Sequence, residues 1–197
     1  MEFPPDRDTP DSIRRFGLLE TFARCATQIS GNAIAKALEN KPMSSGERRL
    51  IELGDRLGGC GQSGAITRIL SLVRGTYAEA LYLKRFKTAP EPAAVDSRKL
   101  EKFLENERDF STLREPQDRS LALVAGCLVA LQPAVAQNIF ESRHGGAREE
   151  ELMNTIFREA PTCAGETRPT LVSRAFMRAF LGEAAYRYAM FAAPTKA

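Results

Sequence analysis

The 197-residue chain has no tryptophan and a single histidine, His144. Metal centres built on several imidazoles, and catalytic triads that need one to spare, are thereby all but excluded. The scarcity weighs against an enzyme. Cysteine is sparse too: Cys25, Cys60, Cys127 and Cys163 contain no C-x-x-C, which leaves neither a zinc-ribbon spacing nor the dense framework of a small secreted domain. That usage points to reduced thiols in an intracellular, cytoplasmic protein. Long apolar runs are missing. The longest, Leu121 to Leu131, falls short of the roughly 18 to 20 residues needed to span a bilayer, even if carried past Pro133 to Ala136. Met1 to Pro10 mixes Glu2, Asp6, Arg7 and Asp8 with prolines, the opposite of a basic segment leading into an apolar one, so no Sec-type signal peptide is expected. Strand signals are nearly absent, with no Asn-Gly or Asp-Gly turn between alternating apolar runs.

What the chain does have is apolar spacing of helical period throughout. With 43% hydrophobic and 27% charged residues it reads as a packed protein. The expected fold is all-α, a single-domain helical bundle of about six to eight helices around a central apolar helix over residues 117–140. An N-terminal helical half (1–88) and a C-terminal half (96–197) are joined by a proline-containing connection (89–95) and pack as one globular domain. No fixed-period repeat suggests a solenoid.

Helix boundaries follow from caps and breakers. Thr9-Pro10-Asp11 opens the first helix, with Ile13, Phe16, Leu19, Ala23 and Ala26 on its buried stripe and an interruption near Gly31. Ser44-Ser45-Gly46-Glu47 reads as a capping box for a helix through Leu50 and Leu57 that stops at Gly58-Gly59. A third helix is expected from about Gln62 to Phe86, a charged one capped by Asp96 from Arg98 to Asp109, and a last one from Thr167–Thr170 to Ala192.

The candidate motifs are modest. Gly59-Cys60-Gly61-Gln62-Ser63-Gly64 fits G-x-G-x-x-G, but the dinucleotide fingerprint needs a preceding buried strand, and here a capped amphipathic helix precedes it. It reads as an interhelical turn, and no cofactor is expected. Glu101, Glu105 and Asp109 are spaced by four but stand among Arg98, Lys102 and Arg108, the pattern of a solvated face, so no metal site is expected. Cys60 or Cys163 with His144 could form a thiol nucleophile and its base, while Cys25 and Cys127 read as core packing.

Charge is the most informative feature. The net +3 is mild, yet residues 65–87 and 167–197 each hold five basic side chains and one acidic, flanking an acidic middle. Arg174 and Arg178 share one helix face, while Phe176 and Phe180 share another. Lys84, Arg85, Lys87, Arg174, Arg178 and Arg187 are therefore the candidate anion- or partner-binding residues, against the alternative that they are neutralised inside the fold. The leading expectation is a non-catalytic helical interaction protein, an adaptor or effector, or a self-associating structural subunit. The alternatives are an RNA- or anionic-membrane-binding protein, viral matrix or nucleocapsid-like, and a thiol-dependent enzyme.

Overall fold

A computed structural model of the chain describes residues 6–61, 67–93, 97–164 and 172–193. The described elements are helical, as the apolar periodicity requires. They are α1 (Pro10–Leu38), α2 (Arg49–Arg56), a 3-10 turn (Gly58–Cys60), α3 (Leu70–Arg85), α4 (Ser97–Phe110), α5 (Pro116–Leu131), α6 (Pro133–Glu141), α7 (Ala147–Glu159), the single turn α8 (Pro161–Ala164) and α9 (Arg174–Ala192). No strand forms among the described residues.

Thr9 caps α1 as its sequence demands: its hydroxyl accepts from the Ser12 amide at 3.1 Å while Ser12 Oγ accepts from the Thr9 amide at 2.8 Å. α1 then breaks at Ser30 (φ −129°, ψ 29°), one residue before the expected interruption. The Ser44 box does not form. Glu47 reaches back past it to the Met43 amide, Ser44 Oγ has no hydrogen bond, and the helix opens only at Arg49. Helix α3 begins at Leu70, because residues 67–69 are non-helical; the expected start at Gln62, the Asp96 cap and the Thr167–Thr170 start lie outside the described residues. Ser173 caps α9 instead, accepting from the Phe176 amide.

The two ends of the chain repeat one another. α1 with its break at Ser30, α2, the 3-10 turn and α3 are matched in order by α5 and α6 with their break at Gln132, α7, α8 and α9. Each long helix carries a cysteine bonded to the short turn of its own half, Cys25 to Cys60 and Cys127 to Cys163. α1 packs on α3 as α5 packs on α9, and α3 and α9 cross each other. Helix α4 joins the halves and lies against α5.

The middle of the bundle is this crossing, not residues 117–140. α5 and α6 are bent by 105° at Gln132-Pro133, where proline cannot continue the helix, and each covers one side of the core. Among the described residues no single helix is long and apolar enough to cross a membrane. Helix α9 is enclosed nearly all round, which its small residues allow. A Cβ on Gly75 would overlap the Ala179 backbone, and one on Gly182 would stand 2.9 Å from the Gly75 carbonyl oxygen, so only glycine permits this approach.

The four cysteines are not the reduced thiols expected from their spacing. All are paired, 35 and 36 residues apart, and C-x-x-C was the wrong signal because each bond joins a helix to a distant turn.

Candidate functional site

Helices that close leave no room for water, so charged residues in the crossing must find partners there. Helix α3 contributes Arg74 and Glu79; α9 contributes Arg178 and Glu183. The helices run antiparallel, and the pairing is reciprocal. Arg74 Nε donates to Glu183 at 2.5 Å, while Arg178 holds Glu79 through two bonds, from Nε at 3.0 Å and Nη2 at 2.8 Å. A fork-on-carboxylate pair of this kind is strong and directional.

The surroundings match as well. Arg74 donates to the Leu38 carbonyl at the end of α1, and Arg178 to the Phe140 and Ser142 carbonyls at the end of α6. Glu47 faces Arg74 at 3.7 Å and accepts from the Met43 amide; Glu149 faces Arg178 at 2.9 Å and accepts from the Gly145 amide. Met43 and Gly145 both have left-handed backbones, φ 63° and 75°. In each half a tight turn thus presents its carboxylate to the arginine of the central helix.

The two networks then differ in charge. Glu183 takes a second guanidinium, Arg114, at 2.5 Å, and Arg187 nearby holds Glu107 at 2.6 Å and covers the Phe110 ring at 3.4 Å. Around Arg178, among the described residues, no second arginine donates a hydrogen bond to Glu79 or Glu149, though Arg24 and Arg174 act on the cluster from farther away. A third carboxylate, Glu20 of α1, stands there instead, 2.8 Å from Arg178 Nη2. His144 Nδ1 meets Glu149 Oε1 at 2.9 Å, and the imidazole packs 4.4 Å from the Phe16 ring.

These settings separate the carboxyl groups. Burial alone would raise Glu149, but His144, Arg178 and the Gly145 amide hold it down to about 2. Burial likewise opposes Glu183, and Arg74 and Arg114 bring it to about 2. Glu20 is pushed up to about 8 by burial and by Glu79, against the pull of Arg178. Glu47 and Glu107 are raised, mainly by burial.

Glu20 and His144 open onto a surface cleft of about 550 Å³ between α1 and the turn before α7, with Ile13, Arg14, Gly17 and Arg143 among its walls. His144 is 5% exposed, and among the described residues its buried Nε2 and the buried Oε1 of Glu20 have no hydrogen-bond partner.

The expected basic face does not form. Arg178 is fully buried; Arg174 is engaged with Asp8 at 2.7 Å and Arg187 with Glu107. Lys84, Arg85 and Lys87 remain exposed at the end of α3, Lys84 donating to the Thr27 carbonyl and Arg85 to the Tyr186 hydroxyl. Carboxylates, many of them from the other half of the chain, neutralise the arginines because α9 is covered on both its faces. The thiol pair fails as well. Cys60 and Cys163 are in disulfides, and His144, expected on an exposed turn, is buried against Glu149. Glu101, Glu105 and Asp109 are exposed, and Asp109 pairs with Lys41 at 3.0 Å. Among the described residues no group of three or more His, Cys, Asp or Glu is placed to hold a metal ion.

The chain matches no protein-family model, no curated protein and no solved structure.

Sequence reasoning missed Glu20, Arg74, Glu79, Arg114, Glu149 and Glu183. A signal was there to find: Arg74-x4-Glu79-Ala80-x-Tyr82 recurs as Arg178-x4-Glu183-Ala184-x-Tyr186. Charges so placed within apolar helices need each other.

Proposed function

We propose that this is a non-catalytic, disulfide-stapled helical protein that works by binding, in an oxidising compartment. The observation that carries the reading is the pairing of all four cysteines, one bond in each half of a duplicated fold. Such bonds persist where glutathione and thioredoxin do not reduce them. The same bonds take away the nucleophile that a thiol-dependent enzyme would require, which supports binding over catalysis. Internal neutralisation of Arg74, Arg178 and Arg187 favours a neutral contact surface over broad anion capture. Thiol titration tests the reading: the native protein should show no reactive thiol, and four should appear only after unfolding with reductant. Rapid alkylation of a native cysteine would overturn it. Light scattering across concentration and ionic strength tests whether the bound partner is a second copy.

Contact with RNA or anionic lipid is the second reading, and it now rests on exposed Lys84, Arg85 and Lys87. Binding at low salt that is lost in Lys84→Glu with Arg85→Glu would favour it, since such contacts weaken with salt.

A further inference from the structure

The two halves share one register: Cys25 answers Cys127, Glu47 answers Glu149 and the buried Leu50 answers Leu152, at a constant separation along the chain. Residues that the shared fold requires recur across it, so each half shows what the other could do without. The cleft between α1 and α2, of about 280 Å³, is where they part. Lys36, Arg49 and Arg56 line it, all exposed, with Glu52 the one carboxylate among the described residues of its walls. In the same register Asn138 stands for Lys36, Glu151 for Arg49, Asn154 for Glu52 and Arg158 for Arg56. Three cations against one carboxylate become one against one.

Packing does not ask for these charges. Arg48 and Arg49 stand at the start of α2, where positive charge opposes the helix dipole, and no side chain caps that end. Helix α7 fills its first turn with Glu149 and Glu150 instead. Nor are the cations neutralised nearby. Arg56 lies four residues from Glu52, the spacing of helical ion pairs, yet no pair closes, and among the described residues Lys36, Arg49 and Arg56 bond to no carboxylate. Glu151, by contrast, is held by Arg148 at 2.8 Å. Arg49 and Arg56 are two turns apart on one face of α2, about 10 Å along its axis and within the combined reach of two arginine side chains. Lys36 meets the same space from α1, and Ala37 and Leu53 give it an apolar lining.

Resting on the reading of this chain as a binding protein, we propose that the cleft between α1 and α2 binds a phosphate monoester, with Lys36, Arg49 and Arg56 donating to the phosphate oxygens and the organic part of the ester lying on Ala37 and Leu53. Three cations against one carboxylate leave a surplus that matches the charge of such an ester, about −1.5 to −2 at neutral pH. Guanidinium forks also suit its oxygens. The volume is at the small end of the range of small-molecule sites. A soluble ester and a lipid ending in a phosphate share this chemistry.

The test has two arms on the oxidised full-length protein: calorimetric titration with phenyl phosphate, and sedimentation with phosphatidylcholine vesicles containing phosphatidic acid. Saturable binding in at least one arm is expected, and the tighter arm identifies the source. The singly charged analogues, phenyl sulfate and phosphatidylglycerol, should bind at least about tenfold more weakly than their phosphate-ended counterparts. Inorganic phosphate should bind more weakly than phenyl phosphate for want of the apolar contact. Arg49→Gln with Arg56→Gln should weaken binding at least about tenfold while leaving the thermal midpoint unchanged or higher, since it takes positive charge from the start of α2. Lys84→Glu with Arg85→Glu should leave binding unchanged, which separates this cleft from contacts at the end of α3. Binding in neither arm, an Arg49, Arg56 double variant that binds as well as wild type, or a loss confined to the Lys84, Arg85 double variant would overturn the site. Singly charged analogues equal to the phosphates would overturn the charge match, and inorganic phosphate equal to phenyl phosphate the apolar contact. A midpoint lowered by more than about 2 °C in the Arg49, Arg56 double variant would overturn the inference that the fold does without these charges. None of these results alters the thiol titration, so failure of this site and failure of the binding reading are distinguishable.

Discussion

Arg178→Met is the sharpest probe of the crossing. Methionine keeps a long flexible stem in the same space and removes only the guanidinium. Arg178 has no solvent exposure and holds Glu79 and Glu149 directly, with Glu20 alongside. Removing one partner of a buried pair costs about 3–5 kcal/mol, because the other charge is left uncompensated. Here more than one carboxylate loses its cation, and the Phe140 and Ser142 carbonyls lose donors at about 1–3 kcal/mol each. The total reaches the whole stability of a domain, about 5–15 kcal/mol, so the variant should not hold its native fold at pH 7. Arg74→Met makes the comparison. Glu183 keeps Arg114 and only the Leu38 carbonyl loses a donor, so its loss should stay near about 4–6 kcal/mol, below that of Arg178→Met. Urea unfolding followed by far-ultraviolet circular dichroism measures both. An Arg178→Met protein within about 1 kcal/mol of wild type, or one harmed less than Arg74→Met, would refute the reasoning.

Removing either disulfide with paired Cys→Ser changes should cost about 4 kcal/mol by loop-closure entropy, for loops of 35 and 36 residues, read as a drop in the urea midpoint. Gly75→Ala places a methyl group against the Ala179 backbone and should destabilise by about 1–3 kcal/mol, whereas Gly58→Ala, which meets open space, should cost far less. The pH dependence has two opposed parts. Glu149 and Glu183 sit below their ordinary value of 4.5, so their contribution is full above it and is lost as pH falls toward 2. Glu20 sits above its ordinary value, so its contribution is full below 4.5 and declines as pH rises through about 8. Glu20→Gln should therefore flatten the fall in thermal midpoint between those two values while leaving the acid limb unchanged.

Helix class and the Thr9 cap were legible because each depends on neighbours within a turn or two. The buried networks were not. Arg178 lies four residues from Arg174, and on a helix wheel the two share a face; nothing local says that Glu79, a hundred residues away, will meet one of them. The same limit hid the disulfides, since Cys127 within an apolar run looks like packing until the turn carrying Cys163 folds against it. Helix α9 misled for a related reason. Its alternating aromatic and basic residues suggested one wet face and one dry, but α3 and α5 cover it from both directions. Charge opposite charge across a long sequence separation is visible only as the recurring Arg-x4-Glu-Ala-x-Tyr, a repeat of two copies that a search for solenoid periods passes over.

The exchange of ion pairs between α3 and α9 means that each half of the chain closes the other. A fragment ending after Arg85 would carry Glu79 without Arg178 and Arg74 with only the more distant Glu47, and one starting at Ser97 would carry Arg178 without Glu79 and Glu183 without Arg74, with Glu149 and Arg114 as their remaining partners. Severed in the proline-containing connection, the two pieces should be insoluble or unstructured apart and regain helical structure on mixing. The protein in that respect behaves as a dimer whose subunits happen to be joined by a peptide bond.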